Sequence, residues 1–176
     1  MRYFLFFVIP FILSLIFTPV IRAIAIKNNL IAYPRADRWH KKPTAILGGI
    51  AIYLASIISL FLFGNLNKQV VGLATGGTFL FIVGLTDDKF HFPPYIKLFT
   101  QIIAGSIAIF SGVTFGLSNN AIIVIPVTLL WIVGITNAFN LLDNIDGLAA
   151  GIAIISSLTL FFSSQFFSNN YLGAYG

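Results

Sequence analysis

The chain has 176 residues, 58% of them hydrophobic and 9% charged, with no cysteine and a net charge of +5. Soluble domains carry about a quarter charged residues, so a water-soluble fold of this length could not cover so much apolar surface. The absence of cysteine removes disulfide and thiolate chemistry, and long unbroken apolar runs exclude the short alternating strands of a membrane barrel. The expected fold class is all-α, a polytopic membrane helix bundle of about six transmembrane helices with the N-terminus outside. Residues 1–176 read as a single membrane domain.

The first apolar run, Tyr3–Ile21, lies between Arg2 and Arg22 and lacks the basic leader and small-residue cleavage site of a signal peptide, so it reads as a retained span. The second runs about Ile46–Gly64 and the third about Val70–Thr86. Leu98 to Leu142 carries no charge and is too long for one crossing. It breaks at Gly116–Asn120, giving a fourth span near Leu98–Phe115 and a fifth near Ala121–Asn137; the sixth is about Leu148–Phe167. Pro10 and Pro126 fall inside spans, which membrane helices tolerate. Pro93-Pro94 lies between spans and stops the helix before it.

Alternating crossings put the loops after spans one, three and five on the same side. That side receives Arg22, Lys27, Arg35, Arg38, Lys41, Lys42, Lys89 and Lys97, whereas Arg2 and Lys68 fall on the other. The positive-inside rule makes the first side cytoplasmic. The acidic residues played no part in that assignment, yet Asp37, Asp87, Asp88, Asp143 and Asp146 all fall on it, as do His40 and His91. Basic residues that border apolar spans read as topology signals and anionic-lipid contacts, not as a nucleic-acid surface.

Three patches on that side carry chemistry. Residues 34–44 gather arginine, lysine, His40 and Trp39 ahead of Gly48-Gly49, where a helix N-terminus could meet phosphate; a basic juxtamembrane anchor is the plainer reading. Asp87-Asp88, followed by Lys97 and Gln101, sets two adjacent carboxylates at a helix end. Such a pair repels unless a cation or proton intervenes, so it could hold Mg²⁺ or activate a nucleophile. Asn137, Asn140, Asp143 and Asp146 recur at every third position. A straight α-helix drifts about 60° per such step, so either the backbone tightens toward 3₁₀ or the helix ends near Asp143, with Gly147 suited to a C-terminal stop. Neither histidine has zinc-like spacing; His40 is a phosphate candidate and His91 an interfacial residue.

In this order, the segments Arg38–Pro43 through Gly48-Gly49, Asp87-Asp88 with Lys97–Gln101, and Asn137–Gly147 resemble the polyprenyl-phosphate N-acetylhexosamine-1-phosphate transferases. The phospho-MurNAc-pentapeptide transferase of peptidoglycan synthesis is a relative of that family. Asn144 departs from the pattern, where a glycine is common, and His40-x-x-Pro43 looks like the GlcNAc branch. The resemblance implies transfer of a HexNAc 1-phosphate, GlcNAc 1-phosphate by preference, from a UDP-N-acetylhexosamine to polyprenyl phosphate with release of UMP. It places this chemistry in bacterial cell-envelope polysaccharide synthesis, at the cytoplasmic face of the plasma membrane. It implies Mg²⁺, with Mn²⁺ as substitute, and Asp87 and Asp88 as the catalytic pair. Asn140 would be a metal ligand, and His40, Lys42, Lys97, Asn137, Asp143 and Asp146 would bind substrate.

The family carries a later Gly-Asp-x-Gly-Ser loop and a His-rich loop that are not found in these 176 residues. The expectation is therefore the N-terminal portion of a larger transferase domain, acting with membrane lipid and either as a homodimer or with a complementing C-terminal chain. The alternative is a non-catalytic or split membrane subunit that binds the lipid carrier or a partner. A transporter would place its acids near the bilayer midplane, which the one-sided aspartates oppose.

Overall fold

A computed structural model describes residues 2–28, 30–32, 44, 45, 48–116, 120–143, 145 and 147–174. Among these, six helices follow one another: α1 (Arg2–Lys27), α2 (Gly48–Phe63), α3 (Lys68–Phe90), α4 (Pro94–Phe110), α5 (Ala121–Leu142) and α6 (Leu148–Ala174). A two-residue antiparallel pair, β1 (Ile31–Ala32) with β2 (Thr44–Ala45), joins Ile31 to Ala45 and Ala32 to Thr44. It leaves the class all-α.

The six expected spans are all present as helices, and four of the helices are long and apolar enough to cross a membrane. The other two, α2 with 16 residues and α4 with 17, rise only about 24–26 Å at 1.5 Å per residue. A hydrocarbon core is about 30 Å thick, so these two helices are a few ångströms shorter than it. Helices overrun the apolar runs that announce them. Helix α1 continues past Arg22 to Lys27, and α3 starts at Lys68 because Asn67 caps it, accepting the Val70 N–H at 2.9 Å. Hydropathy marks the part of a helix that lipid touches, not where its hydrogen bonds stop.

Helix α4 is shifted toward the N-terminus relative to the sequence reading. Pro94 opens it, as proline does at a first helical position. Gly112, with φ of 92°, closes it. The Val113 N–H bonds Ala108 O and the Gly112 N–H bonds Ile109 O, a Schellman stop that needs a left-handed residue. The chain from Val113 to Phe115 then runs free of helix, and the Phe115 N–H donates to Thr128 Oγ1 at 3.0 Å.

The chain divides into two compact units. The first holds α1 to α4 and α5 as far as Thr136. Its helices pack as α1 against α2 and α3 against α4. Apart from Gln101, the buried positions of these pairs are small: Ala25, Ala51, Ala55 and Ser59 in the first, and Gly72, Gly76, Ala104, Gly105 and Ala108 in the second. With lipid tails as apolar as leucine, helix pairs gain from close backbone approach, not from hiding large side chains. A Cβ added at Gly76 would stand 3.0 Å from Ala104 O. Leucine, isoleucine and phenylalanine instead turn outward, Phe7, Leu73, Phe99 and Ile122 among them. Between α2 and α3, Tyr53 stacks on Phe81 with centroids 3.9 Å apart and shares a 2.9 Å hydrogen bond with Thr78. The second unit contains the end of α5 from Asn137 and all of α6.

Candidate functional site

In the first unit, α3 ends and α4 begins within three residues, Asp87 lying on the last turn of α3 and Lys97 on the first turn of α4. His91 takes a left-handed conformation (φ 53°, ψ 67°), and its N–H bonds Asp87 O at 2.8 Å. This conformation reverses the chain and turns the next N–H, that of Phe92, back toward the helix. The Asp87 carboxylate receives it: Oδ1 accepts from Phe92 N at 2.7 Å. Oδ2 lies 2.6 Å from Lys97 Nζ, with the Asp87 side chain 23% exposed and that of Lys97 36%. Pro93 and Pro94 then fix the entry into α4, whose first bonds run from Ile96 N and Lys97 N to Pro93 O.

One carboxylate thus joins both helices and the loop between them. An exposed ion pair contributes about 0.2–1 kcal/mol. A hydrogen bond to a charged acceptor contributes about 1.5–3 kcal/mol. Asp88 is exposed, one position and about 100° further round α3. Lys89 lies over the neighbouring Phe90 ring at 5.5 Å. Gln101, one turn into α4 from Lys97, is buried at 5% exposure.

In the second unit, Asn137 and Asn140 lie on the last turns of α5, which stops at Leu142. Asp143 follows in a turn, its N–H still bonded to Phe139 O at 3.0 Å. Of the two backbones weighed for this row of polar residues, the helix that ends near Asp143 is the one observed. Gly147, with φ of 75°, does not cap α5. It directly precedes α6 and accepts from Gly151 N at 2.9 Å, so its left-handed backbone serves the entry to the next helix. Asn137, Asn140 and Asp143 are all exposed. Asp146, His40 and Lys42 lie outside the described residues, as does Asp37. Gly48 and Gly49 open α2, and a Cβ on either would meet nothing within 4 Å.

The structure therefore brings Asp87 and Lys97 together and places Asn140 and Asp143 three apart at a helix end. Sequence reading missed the bond from Phe92 N to Asp87. The signal was a carboxylate in a last helical turn with two prolines six and seven residues on. All the candidate donors are oxygens, which suit a hard cation such as Mg²⁺. Among the described residues no three histidine or carboxylate side chains gather.

Residues 70–175 match the model of glycosyl transferase family 4. Relatives include a probable undecaprenyl-phosphate N-acetylglucosaminyl 1-phosphate transferase of Bacillus subtilis (strain 168), 31% identical over 164 residues, covering 88% of this chain and 46% of that protein. A decaprenyl-phosphate N-acetylglucosaminephosphotransferase of Mycolicibacterium smegmatis is 30% identical over 165 residues, covering 80% and 39%. A phospho-N-acetylmuramoyl-pentapeptide-transferase of Lactobacillus gasseri is 34% identical over 180 aligned positions, covering 87% and 56%. The chain spans about half the length of these relatives. No solved structure gives a significant match. The matched segment runs from the first turn of α3 to the end of α6 and includes Asp87, Lys97 and the α5 terminus, and the chain belongs to glycosyl transferase family 4.

Proposed function

We propose that the chain serves the transfer of an N-acetylhexosamine 1-phosphate, GlcNAc 1-phosphate by preference, from a UDP-sugar to membrane polyprenyl phosphate, with release of UMP. The observation that carries this reading is the Asp87–Lys97 pair, a carboxylate and an ammonium 2.6 Å apart at a helix junction inside the matched segment. The names of the relatives, which pair a polyprenyl phosphate with a phosphosugar transfer, support it.

The chemical problem is the meeting of two anions. A phosphate oxygen of the lipid attacks the sugar-bearing phosphorus of the UDP-sugar. The bond from that phosphorus to the bridging oxygen breaks, UMP leaves, and a new lipid diphosphate carries the sugar. Basic residues reduce the repulsion: Lys97 next to the α4 N-terminus, and Lys42 and His40 in the segment before α2. The Asp87-Asp88 pair supplies the carboxylate that activates the lipid phosphate. Asn137, Asp143 and Asp146 position the nucleotide sugar, and orientation lowers the barrier by removing its entropic part. Asn140 would hold Mg²⁺ or Mn²⁺. When bound, that ion neutralises phosphate charge.

The charge distribution supports a cytoplasmic active face, with eight basic residues in the last turns of α1, the segment between α1 and α2, the end of α3 and the start of α4, and two elsewhere. The reading places the chain in the plasma membrane, in cell-envelope polysaccharide synthesis, lipopolysaccharide included. The partners are UDP-N-acetylhexosamine, polyprenyl phosphate and membrane lipid. Incubation of the protein in nanodiscs with sugar-labelled UDP-GlcNAc, undecaprenyl phosphate and Mg²⁺ tests the reading. Label should enter the lipid phase. Retention in the aqueous phase with every UDP-HexNAc tried would overturn it.

A further inference from the structure

We propose that the α3–α4 pair is a fixed-height surface that fits a bilayer thinner than the usual hydrocarbon core, so that short-chain lipid is its preferred neighbour. The inference stands apart from the proposed function.

A polar tie joins the two helices at each end. At one end Asp87 Oδ2 meets Lys97 Nζ at 2.6 Å. At the other, Gln69 Nε2 donates to Gly112 O at 3.0 Å. Gln69 and Asp87 are 18 residues apart on α3, about 27 Å at 1.5 Å per residue. Lys97 and Ser111, which caps α4, are 14 residues apart, about 21 Å. Large apolar side chains between the ties are exposed, Val71 and Ile82 on α3 and Leu98 and Phe110 on α4 among them. Phe90 and Tyr95, also exposed, lie beyond the Asp87–Lys97 tie, where aromatic side chains anchor at headgroup level. A hydrocarbon core of about 30 Å exceeds both heights. Helix α2, with 16 residues, is about as short.

Helix α4 cannot be wound further at either end. Phe92 and Pro93 each precede a proline, which disfavours helical backbone at both. Gly112 leaves the helix at φ of 92°. The residues after it add no height. The Phe115 N–H donates to Thr128 Oγ1 at 3.0 Å, and the next residue of α5, Leu129, lies against Gly105, where an added Cβ would stand 2.8 Å from Leu129 Cδ1. The chain has therefore turned back toward the middle of α4. A lysine stem can reach a distant headgroup, but Asp87 holds that of Lys97.

Tilt only lowers a helix further. A longer helix such as α1, with Arg2 and Arg22 20 residues apart, meets a thin bilayer by tilting, whereas α4 has no means of meeting a thick one. The lipid beside the pair must thin instead. Mismatch of a few ångströms is the force that sorts proteins between membranes of different thickness.

The test uses the full chain with Trp39→Phe, which leaves Trp131 as the reporter, 57% exposed on α5 in the same unit. It is reconstituted in vesicles of dimyristoleoyl-, dioleoyl- or dierucoyl-phosphatidylcholine, which share a headgroup and increase in chain length. Each is mixed with brominated dioleoyl-phosphatidylcholine, which quenches tryptophan on contact. Dimyristoleoyl lipid should displace the quencher best, several-fold better than dierucoyl lipid. Equal displacement by all three, or a preference for either longer lipid, overturns the proposal. Lys68→Leu combined with Gln69→Leu extends the apolar face of α3 by two residues, about 3 Å, and removes the outer tie. The preference should then shift toward dioleoyl lipid, and an unchanged preference contradicts the tie as the boundary. The series on the chain with both ties intact decides the proposal whether or not that variant folds.

Discussion

Gly72 is where the α3–α4 pair is most sensitive to one added carbon. A Cβ there would fall within the van der Waals envelope of both Oγ and Cβ of Ser111. Rotating the serine does not relieve this, because its Cβ is fixed by the backbone and its Oγ is bonded to Ile107 O at 2.9 Å. Carbon atoms rest about 3.5–4.0 Å apart, so α3 and the end of α4 would have to separate by roughly an ångström or more. Overpacking of this kind costs about 1–3 kcal/mol, against which alanine gains up to about 1 kcal/mol of helix propensity over glycine. The expected net loss for Gly72→Ala is about 1–2 kcal/mol. Gly77→Ala is the control: it has the same propensity gain, and its Cβ would meet nothing within 4 Å. It should be neutral or more stable. Reversible unfolding in mixed micelles, followed by tryptophan fluorescence, measures both. Adding Ser111→Gly to Gly72→Ala removes the obstructing atoms and should recover most of the loss. Equal midpoints for Gly72→Ala and Gly77→Ala would refute the close-packed junction.

Thr128 is 3% exposed and accepts the Phe115 N–H at 3.0 Å while donating to Val124 O at 2.7 Å. Thr128→Val keeps the shape and orphans that N–H, at a cost of about 1–3 kcal/mol. Thr128→Ser should cost less in the same unfolding assay, and a reversed order would count against the bond. Asn67→Ala removes the N-cap of α3 and should cost about 0.5–2 kcal/mol, with faster amide exchange at Val70 and unchanged exchange in α5.

The six helices were legible because lipid imposes one rule on every span, about twenty apolar residues with satisfied backbone. Their ends were less so. Lys27 and the α5 turns that carry Asn137 and Asn140 are helical although polar, because the hydrogen-bond ladder runs on into the interface. Gly147 shows a different difficulty. A left-handed glycine serves the end of one helix or the approach to the next, and composition does not say which. In the site, Asp87, Lys97 and Asn140 were legible as types of residue at helix ends. The Asp87–Lys97 pairing was not, since it depends on a left-handed His91 turning Phe92 N–H toward Asp87 across two prolines. A ten-residue separation between partners has no signature in helical periodicity.

The central claim is that the sugar moves together with its phosphate. A UDP-HexNAc labelled at the sugar-bearing phosphorus, supplied with polyprenyl phosphate and Mg²⁺ to the protein in nanodiscs, tests this most directly. Phosphorus label and sugar should enter the lipid in equal amounts while unlabelled UMP is released. Release of labelled UDP, with sugar alone on the lipid, would contradict it.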